Sequence, residues 1–227
     1  MLTDATKDAI RAIHARLKEQ LPGYRPRRAQ NRMIASVANT MATGGAAVIE
    51  APTGTGKSMA YLIAAVEVAR ATNRKLVVAT ATVALQEQLM RQDIPLYLEL
   101  SGHAELRVAL AKGRGRYLCP RDLAHAMASL DDTQMGLGFE ADLALWSKAP
   151  GERDKAALSK LDETFSRKEW DGDLDNAPAP ISATLRPLLT TSAGGCTGRK
   201  CAYFMQCPFF AARRAVDDAD LVVANQD

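Results

Sequence analysis

Residues Ala51-Pro52-Thr53-Gly54-Thr55-Gly56-Lys57-Ser58 have the types and order of a loop that holds phosphate. Glycines at 54 and 56 let backbone N–H groups turn toward phosphate oxygens with no Cβ in the way. Lys57 can reach β- and γ-phosphates, and the Ser58 hydroxyl can coordinate Mg²⁺. A helix opening at Lys57 adds the partial positive charge of its N-terminus. Thr53 and Thr55 lie within the loop and complete the set Thr53, Gly54, Thr55, Gly56, Lys57 and Ser58. The alternative is a chance glycine-rich turn with a solvated lysine. Against it stand the apolar run 46–51, expected as a strand before the loop, and the helical pattern after it.

A second group of residues suits metal chemistry. The four cysteines are spaced C-x76-C-x4-C-x5-C, at Cys119, Cys196, Cys201 and Cys207. Thiolates are soft ligands that suit zinc or an iron–sulfur cluster. Structural zinc sites usually contain a tight cysteine pair. No C-x-x-C occurs here, so the wider spacing favours a larger [4Fe–4S] cube. Zinc, or buried cysteines with no metal role, are the alternatives at this point. Tyr117, Tyr203, Phe204, Phe209 and Phe210 crowd the same segments, where shielding a metal and forming a small core is their expected task.

The elements that must position these groups follow from periodicity. Residues 4–21 read as an amphipathic helix with Ile10, Ile13, Leu17 and Leu21 on one face. Pro22-Gly23 ends it, and a basic loop, 24–30, leads to a second helix carrying Met33, Ile34, Val37 and Met41. A helix is expected over 59–71, a strand over 75–80, a helix from Val83 to about Arg91, and a strand over 106–110. Strands alternating with helices predict parallel βαβ units. From Lys112 the pattern changes. The stretch KGRGRYLCPR is rich in Gly and Arg, and residues 124–180 offer helices but no strand, with Trp146 and Trp170 as packing anchors. Strand character returns at 221–224.

Length and composition set limits. A chain of 227 residues, 47% hydrophobic and 24% charged, can bury one sizeable core plus an insertion. The net charge of +3 is compatible with nucleic acid without arguing for it. Acidic residues gather at 162–175 and leave basic clusters elsewhere. The start of the chain shows no secretory pattern, and no apolar stretch is long enough to span a bilayer. A cytoplasmic location without membrane association is the expectation, and in a reducing compartment four cysteines read as ligands or catalysts rather than disulfides.

Taken together, GRGRYLCPR, the C-x4-C-x5-C-P-F-F segment and VVATATVALQEQL resemble the DinG family of bacterial DNA helicases, relatives of XPD in superfamily 2. The resemblance runs from the basic loop before Gln30 to Asn225. Ala51, at the place of the usual first glycine, also suits helicases better than small GTPases. The resemblance implies an α/β fold with a RecA-like P-loop parallel sheet and an inserted, mainly helical iron–sulfur domain. The boundaries it suggests are 1–112 and 211–227 for an incomplete first motor domain and 113–210 for the insertion. It implies ATP, Mg²⁺ and a [4Fe–4S] cluster on Cys119, Cys196, Cys201 and Cys207. Gln30 would read adenine; Thr80, Thr82 and Gln86 would touch the DNA backbone. The end of a strand, where Thr80 and Thr82 lie, is where open α/β sheets bind ligands, although capping the next helix is an alternative for the threonines.

The implied activity is 5′→3′ DNA unwinding driven by ATP, in repair or replication, on single-stranded and forked or looped DNA. A nucleoid-associated monomer in the bacterial cytoplasm is the implied setting. The family's Walker B box, arginine finger and second motor domain would lie beyond Asp227, and LVVANQD carries Gln226 where the family more often has histidine. The expectation is therefore an N-terminal portion that alone neither hydrolyses ATP nor unwinds DNA. A non-enzymatic iron–sulfur module that binds single strands or senses redox state is the competing reading.

Overall fold

The computed structural model describes residues 2–25, 27–134 and 151–225, so Trp146 and Gln226 lie outside the described residues. The chain divides into two compact units. One comprises Met1–Ala111 with Val216–Asp227, and the other is Lys112–Ala215.

The first unit is built around α3 (Lys57–Ala71), which is buried on nearly every face. Small residues Ala60, Ala64 and Ala65 let its neighbours approach closely. It packs most extensively on α2 (Arg28–Thr43) and also on α1 (Asp4–Gln20). Thr3 accepts from the Thr6 backbone N–H at 3.2 Å to cap α1, and Ile10, Ile13 and Leu17 turn inward at helical spacing. Gly44, in the left-handed region at φ 75°, ends α2 as expected of a C-cap glycine.

The sheet has three parallel strands in the order β1-β3-β2, namely β1 (Leu76–Thr80), β2 (Val108–Ala111) and β3 (Leu221–Asn225). Leu76 pairs with Leu221 on one side of β3, and Val108 pairs with Leu221 on the other. Buried Leu221, Val222 and Val223 show why the last strand sits in the middle: it is apolar on both faces.

Two local expectations are corrected. The run 46–51 before the phosphate loop joins no ladder, and Val48 is fully exposed. A strand needs a partner for its backbone groups, and among the described residues β1 is paired only with β3. The helix expected over 83–91 instead continues. After α4 (Val83–Gln88) the chain widens into a π-helical turn, Leu89–Asp93, and runs on as α5 (Ile94–Ser101). Pro95 has no N–H to donate to the preceding turn, and widening the helix accommodates it without a break.

The second unit contains α6 (Pro120–Gln134), α7 (Glu152–Ser166), the short α8 (Arg186–Leu189) and the first part of α9 (Pro208–Asp218). Leu118, Leu123, Leu158, Leu161, Leu185 and Leu189 form its core. Trp170 closes one side, its Nε1 donating to the Asp173 carbonyl at 3.0 Å. A small charged network lies beside it. Lys112 Nζ contacts the carboxylates of both Asp173 and Asp175, and Arg116 binds Asp175.

Candidate functional site

The phosphate loop is shaped by its glycines. Gly54 and Gly56 take φ of 77° and 78°, left-handed values that a side chain would resist. Thr55 is buried, with its N–H and Oγ1 both directed at the Pro52 carbonyl, at 3.4 and 2.7 Å. Thr53 is exposed, and Ser58 is half-buried in the first turn of α3. Lys57 Nζ donates to the carbonyls of Ala51 and Pro52 at 2.9 and 3.1 Å. The ammonium thus curls over the mouth of its own loop, against oxygens, at a place where phosphate oxygens would compete for it. Together these groups form an anion cradle with a cation in place.

Gln30 is drawn into the same site and is only 2% exposed. Its Nε2 donates to the Gly56 carbonyl at 3.1 Å, and its Oε1 accepts from the Tyr24 hydroxyl. Tyr24 in turn meets His14 Nε2 at 3.1 Å. One N–H and one lone pair of the Gln30 amide are thereby engaged by protein, and the other pair is open by valence. Burial pushes the Tyr24 hydroxyl above its usual range, with Arg27 opposing it. Periodicity gave no hint of Tyr24, because it lies in a proline- and arginine-rich loop where only tertiary structure brings it to Gln30.

Thr80, Thr82 and Gln86 lie close together at and just beyond the end of β1. Thr80 is buried, its hydroxyl donating to the carbonyls of Thr82 and Ala224 at 3.2 and 3.3 Å. Thr82 is exposed and caps α4, Oγ1 accepting from the Leu85 N–H at 3.2 Å. Gln86 is buried. Of the three, Thr82 is the one presented to solvent.

A buried carboxylate was not foreseen. Glu67, on α3, accepts from the Tyr97 hydroxyl at 2.6 Å and meets His103 Nε2 at 2.8 Å. Burial first, and the Glu67 carboxylate second, push the Tyr97 hydroxyl far above its ordinary value. In the sequence Glu67 merely interrupts an apolar run. Its partners lie on α5 and beyond, too far along the chain for a local pattern.

In the second unit, all four cysteines line one pocket, together with Arg114, Phe209 and Phe210. All four are free thiols and half-buried. Cys201 and Cys207 are presented by the same device. Each follows a 3-10 turn, Gly198–Lys200 or Phe204–Gln206, and returns its N–H to the first carbonyl of that turn at 3.0 and 3.3 Å. Cys119 is anchored by its N–H to the Leu189 carbonyl at 2.7 Å. Burial raises the Cys119 thiol to about 11. Two donors face Cys196 Sγ: Arg114 Nη1 at 3.0 Å and the Gly198 N–H at 3.4 Å. The aromatic rings pack on one another, Phe204 on Phe210 at 4.7 Å and Tyr117 on Phe209 at 6.0 Å between centroids.

Among the described residues, no three His, Cys, Asp or Glu stand close enough to hold a metal ion as placed. The pocket is a convergence of thiols rather than a closed ligand shell. Its donor set is nevertheless that of a thiolate-ligated centre: four sulfurs outside any disulfide, N–H groups aimed at one of them, and an aromatic wall. These residues fit such a group.

The comparisons with known proteins point the same way as the loop. Residues 27–116 match the DEAD/DEAH box helicase family. The chain is 42% identical over 226 residues to the ATP-dependent DNA helicase DinG of Escherichia coli K12, covering 99% of this chain. Over nearly its whole length the chain is similar to the DinG helicases. The DinG of Salmonella typhimurium is likewise 42% identical over 226 residues, and that of Photobacterium profundum is 36% identical over 230. The chain spans about a third of the length of these DinG relatives, 31% of the Escherichia coli protein. Among the described residues no helix is long and apolar enough to cross a membrane.

Proposed function

We propose that this chain is the N-terminal portion of an ATP-dependent DNA helicase in which residues 113–210 are an inserted iron–sulfur domain. The observation that carries the reading is the preformed phosphate loop, with left-handed Gly54 and Gly56 and Lys57 opening α3. In this reading Thr53, Gly54, Thr55, Gly56 and Lys57 grip the β- and γ-phosphates of ATP, and Ser58 holds Mg²⁺. Gln30 reads adenine with the amide N–H and lone pair that Tyr24 and Gly56 leave open. Exposed Thr82 touches the DNA backbone, with Thr80 and Gln86 shaping that turn beneath it.

Cys119, Cys196, Cys201 and Cys207 would hold a [4Fe–4S] cluster. Such a cluster supplies a rigid four-point tether and a one-electron redox centre when bound. The protein's own contribution is to bring an upstream arm and a downstream loop to one pocket and to shield it with aromatic rings. The substrates are single-stranded and forked or looped DNA, unwound 5′→3′ by a monomer in the nucleoid-associated cytoplasm, in repair or replication.

The 227-residue polypeptide by itself binds nucleotide without turning it over. Groups to orient water and to neutralise the transition state are not recognisable in its sequence. Purification without oxygen tests the cluster: about four irons per chain are expected, and a colourless, zinc-containing protein rejects it. Cys201→Ala should remove the colour. DNA-stimulated ATP hydrolysis by the pure polypeptide would show that the inactivity reading is wrong.

A further inference from the structure

We infer that Arg114 is a positioning residue for the thiol pocket, fixing the Cys196 sulfur and raising the reduction potential of the cluster held there. The inference rests on the iron–sulfur reading of that pocket. Arg114 Nη1 donates to Cys196 Sγ at 3.0 Å. The guanidinium carbon lies 3.9 Å from the centre of the Phe209 ring and 5.4 Å from that of Phe210. One planar group is thus held by a ring against its face and a sulfur at its edge. A guanidinium can satisfy both at once, whereas an ammonium offers no flat face to stack.

Arg213 shares the Phe209 ring, its guanidinium carbon 5.1 Å from the centre, without a hydrogen bond to a cysteine sulfur among those described, and three other neighbouring cations are engaged elsewhere. Lys112 and Arg116 bind the carboxylates of Asp173 and Asp175. Arg121 binds Asp122 and donates to the Gly195 carbonyl at 3.0 Å. Among the described residues no carboxylate pairs with Arg114, so its charge is directed at the pocket without local compensation.

Hydrogen bonds to cluster sulfurs and net charge near them set the potential of iron–sulfur centres. A cation donating to a ligand sulfur favours the form that carries the additional electron. Arg114 also has a mechanical effect. It stands on the arm that leads to Cys119 and grips the loop that carries Cys196, so it joins two ligand-bearing segments that are remote in sequence.

The test uses the full 227-residue chain purified without oxygen, as wild type, Arg114→Gln and Arg114→Lys. Iron and sulfide are counted first, then the midpoint potential is read by mediated dithionite titration and the cluster spectrum by electron paramagnetic resonance. Arg114→Gln should lower the potential by an amount equivalent to about tenfold in the one-electron equilibrium, ~59 mV. Arg114→Lys keeps the charge without the stack, so it should shift the potential less while still losing iron faster to a chelator. Full iron with an unchanged potential in Arg114→Gln overturns this inference and leaves the cluster reading standing. A wild type without iron overturns both. If Arg114→Gln holds no iron, Arg114→Lys decides: a lowered potential supports the inference and an unchanged one overturns it. Iron lost from both variants with wild-type circular dichroism supports positioning, whereas iron lost together with the helical signal assigns Arg114 to folding and overturns it.

Discussion

Gln30 donates its side-chain N–H to the carbonyl of Gly56 at 3.1 Å, tying the start of α2 to the residue at which the phosphate loop becomes α3. The contact exists because Gly56 has no side chain: a Cβ there would lie 2.4 Å from Gln30 Nε2. Gly56→Ala is therefore doubly penalised, by this clash and by its φ of 78°. It should lower the melting temperature and weaken Mg–ATP binding more than tenfold. Gln30→Ala removes one hydrogen bond and should weaken binding by roughly two- to tenfold. Calorimetric titration of both variants checks this, and unchanged affinity in both would reject the tie.

Lys57 must exchange the Ala51 and Pro52 carbonyls for phosphate oxygens when nucleotide binds. Lys57→Ala should abolish measurable ATP binding while leaving the iron content and the melting temperature near wild type. The Pro52 carbonyl it vacates keeps its bonds from Thr55, and the Ala51 carbonyl is only half-buried and can be hydrated, so the free loop loses little. A large drop in melting temperature would instead make Lys57 a structural brace.

Asp175 predicts a pH dependence. Burial alone would raise its carboxyl, but hydrogen bonds from Arg116 and Lys112 outweigh that and hold it below its ordinary value of 3.8. A folded value below the unfolded one contributes stability that is complete above about 3.8 and is lost as pH falls through the lower folded value. Asp175→Asn should destabilise the protein at pH 7 by about 1–3 kcal/mol. The gap between variant and wild type should close toward pH 3, read by thermal melts across pH. A gap independent of pH would show that charge is not its source.

Tyr97→Phe leaves Glu67 buried with His103 Nε2 against its carboxylate and the Tyr97 hydroxyl gone. Loss of a hydrogen bond to a buried carboxylate should cost about 1–3 kcal/mol, measured by urea unfolding. Nucleotide affinity should be little changed, since Glu67 lies near the far end of α3 from Lys57.

What was legible in the sequence was what repeats or sits close together. The faces of α1 and α2, the phosphate loop and the cysteine order all have local signatures, and 46–51 is the local signature that failed, because a strand is made by its neighbour. Tyr24 with Gln30, Glu67 with His103 and Arg114 with Cys196 are tertiary pairs, each invisible until the chain folds back. The two arginines of GRGR look equivalent as text. Folded, Arg116 turns to a carboxylate and Arg114 to a sulfur, a division no spacing encodes.

The sheet order has a consequence for how the protein is made. Among the described residues β1 and β2 never touch; each is bonded to β3, which follows both of them in the chain. Until Leu221–Asn225 emerges, both earlier strands wait with open edges while the whole of Lys112–Ala215 is synthesised. Edges held open for that long invite pairing with the wrong chain. Early acquisition of a compact second unit would shorten the span that β3 must cross to reach its place, so folding of that unit and closure of the sheet become successive events in one biogenesis.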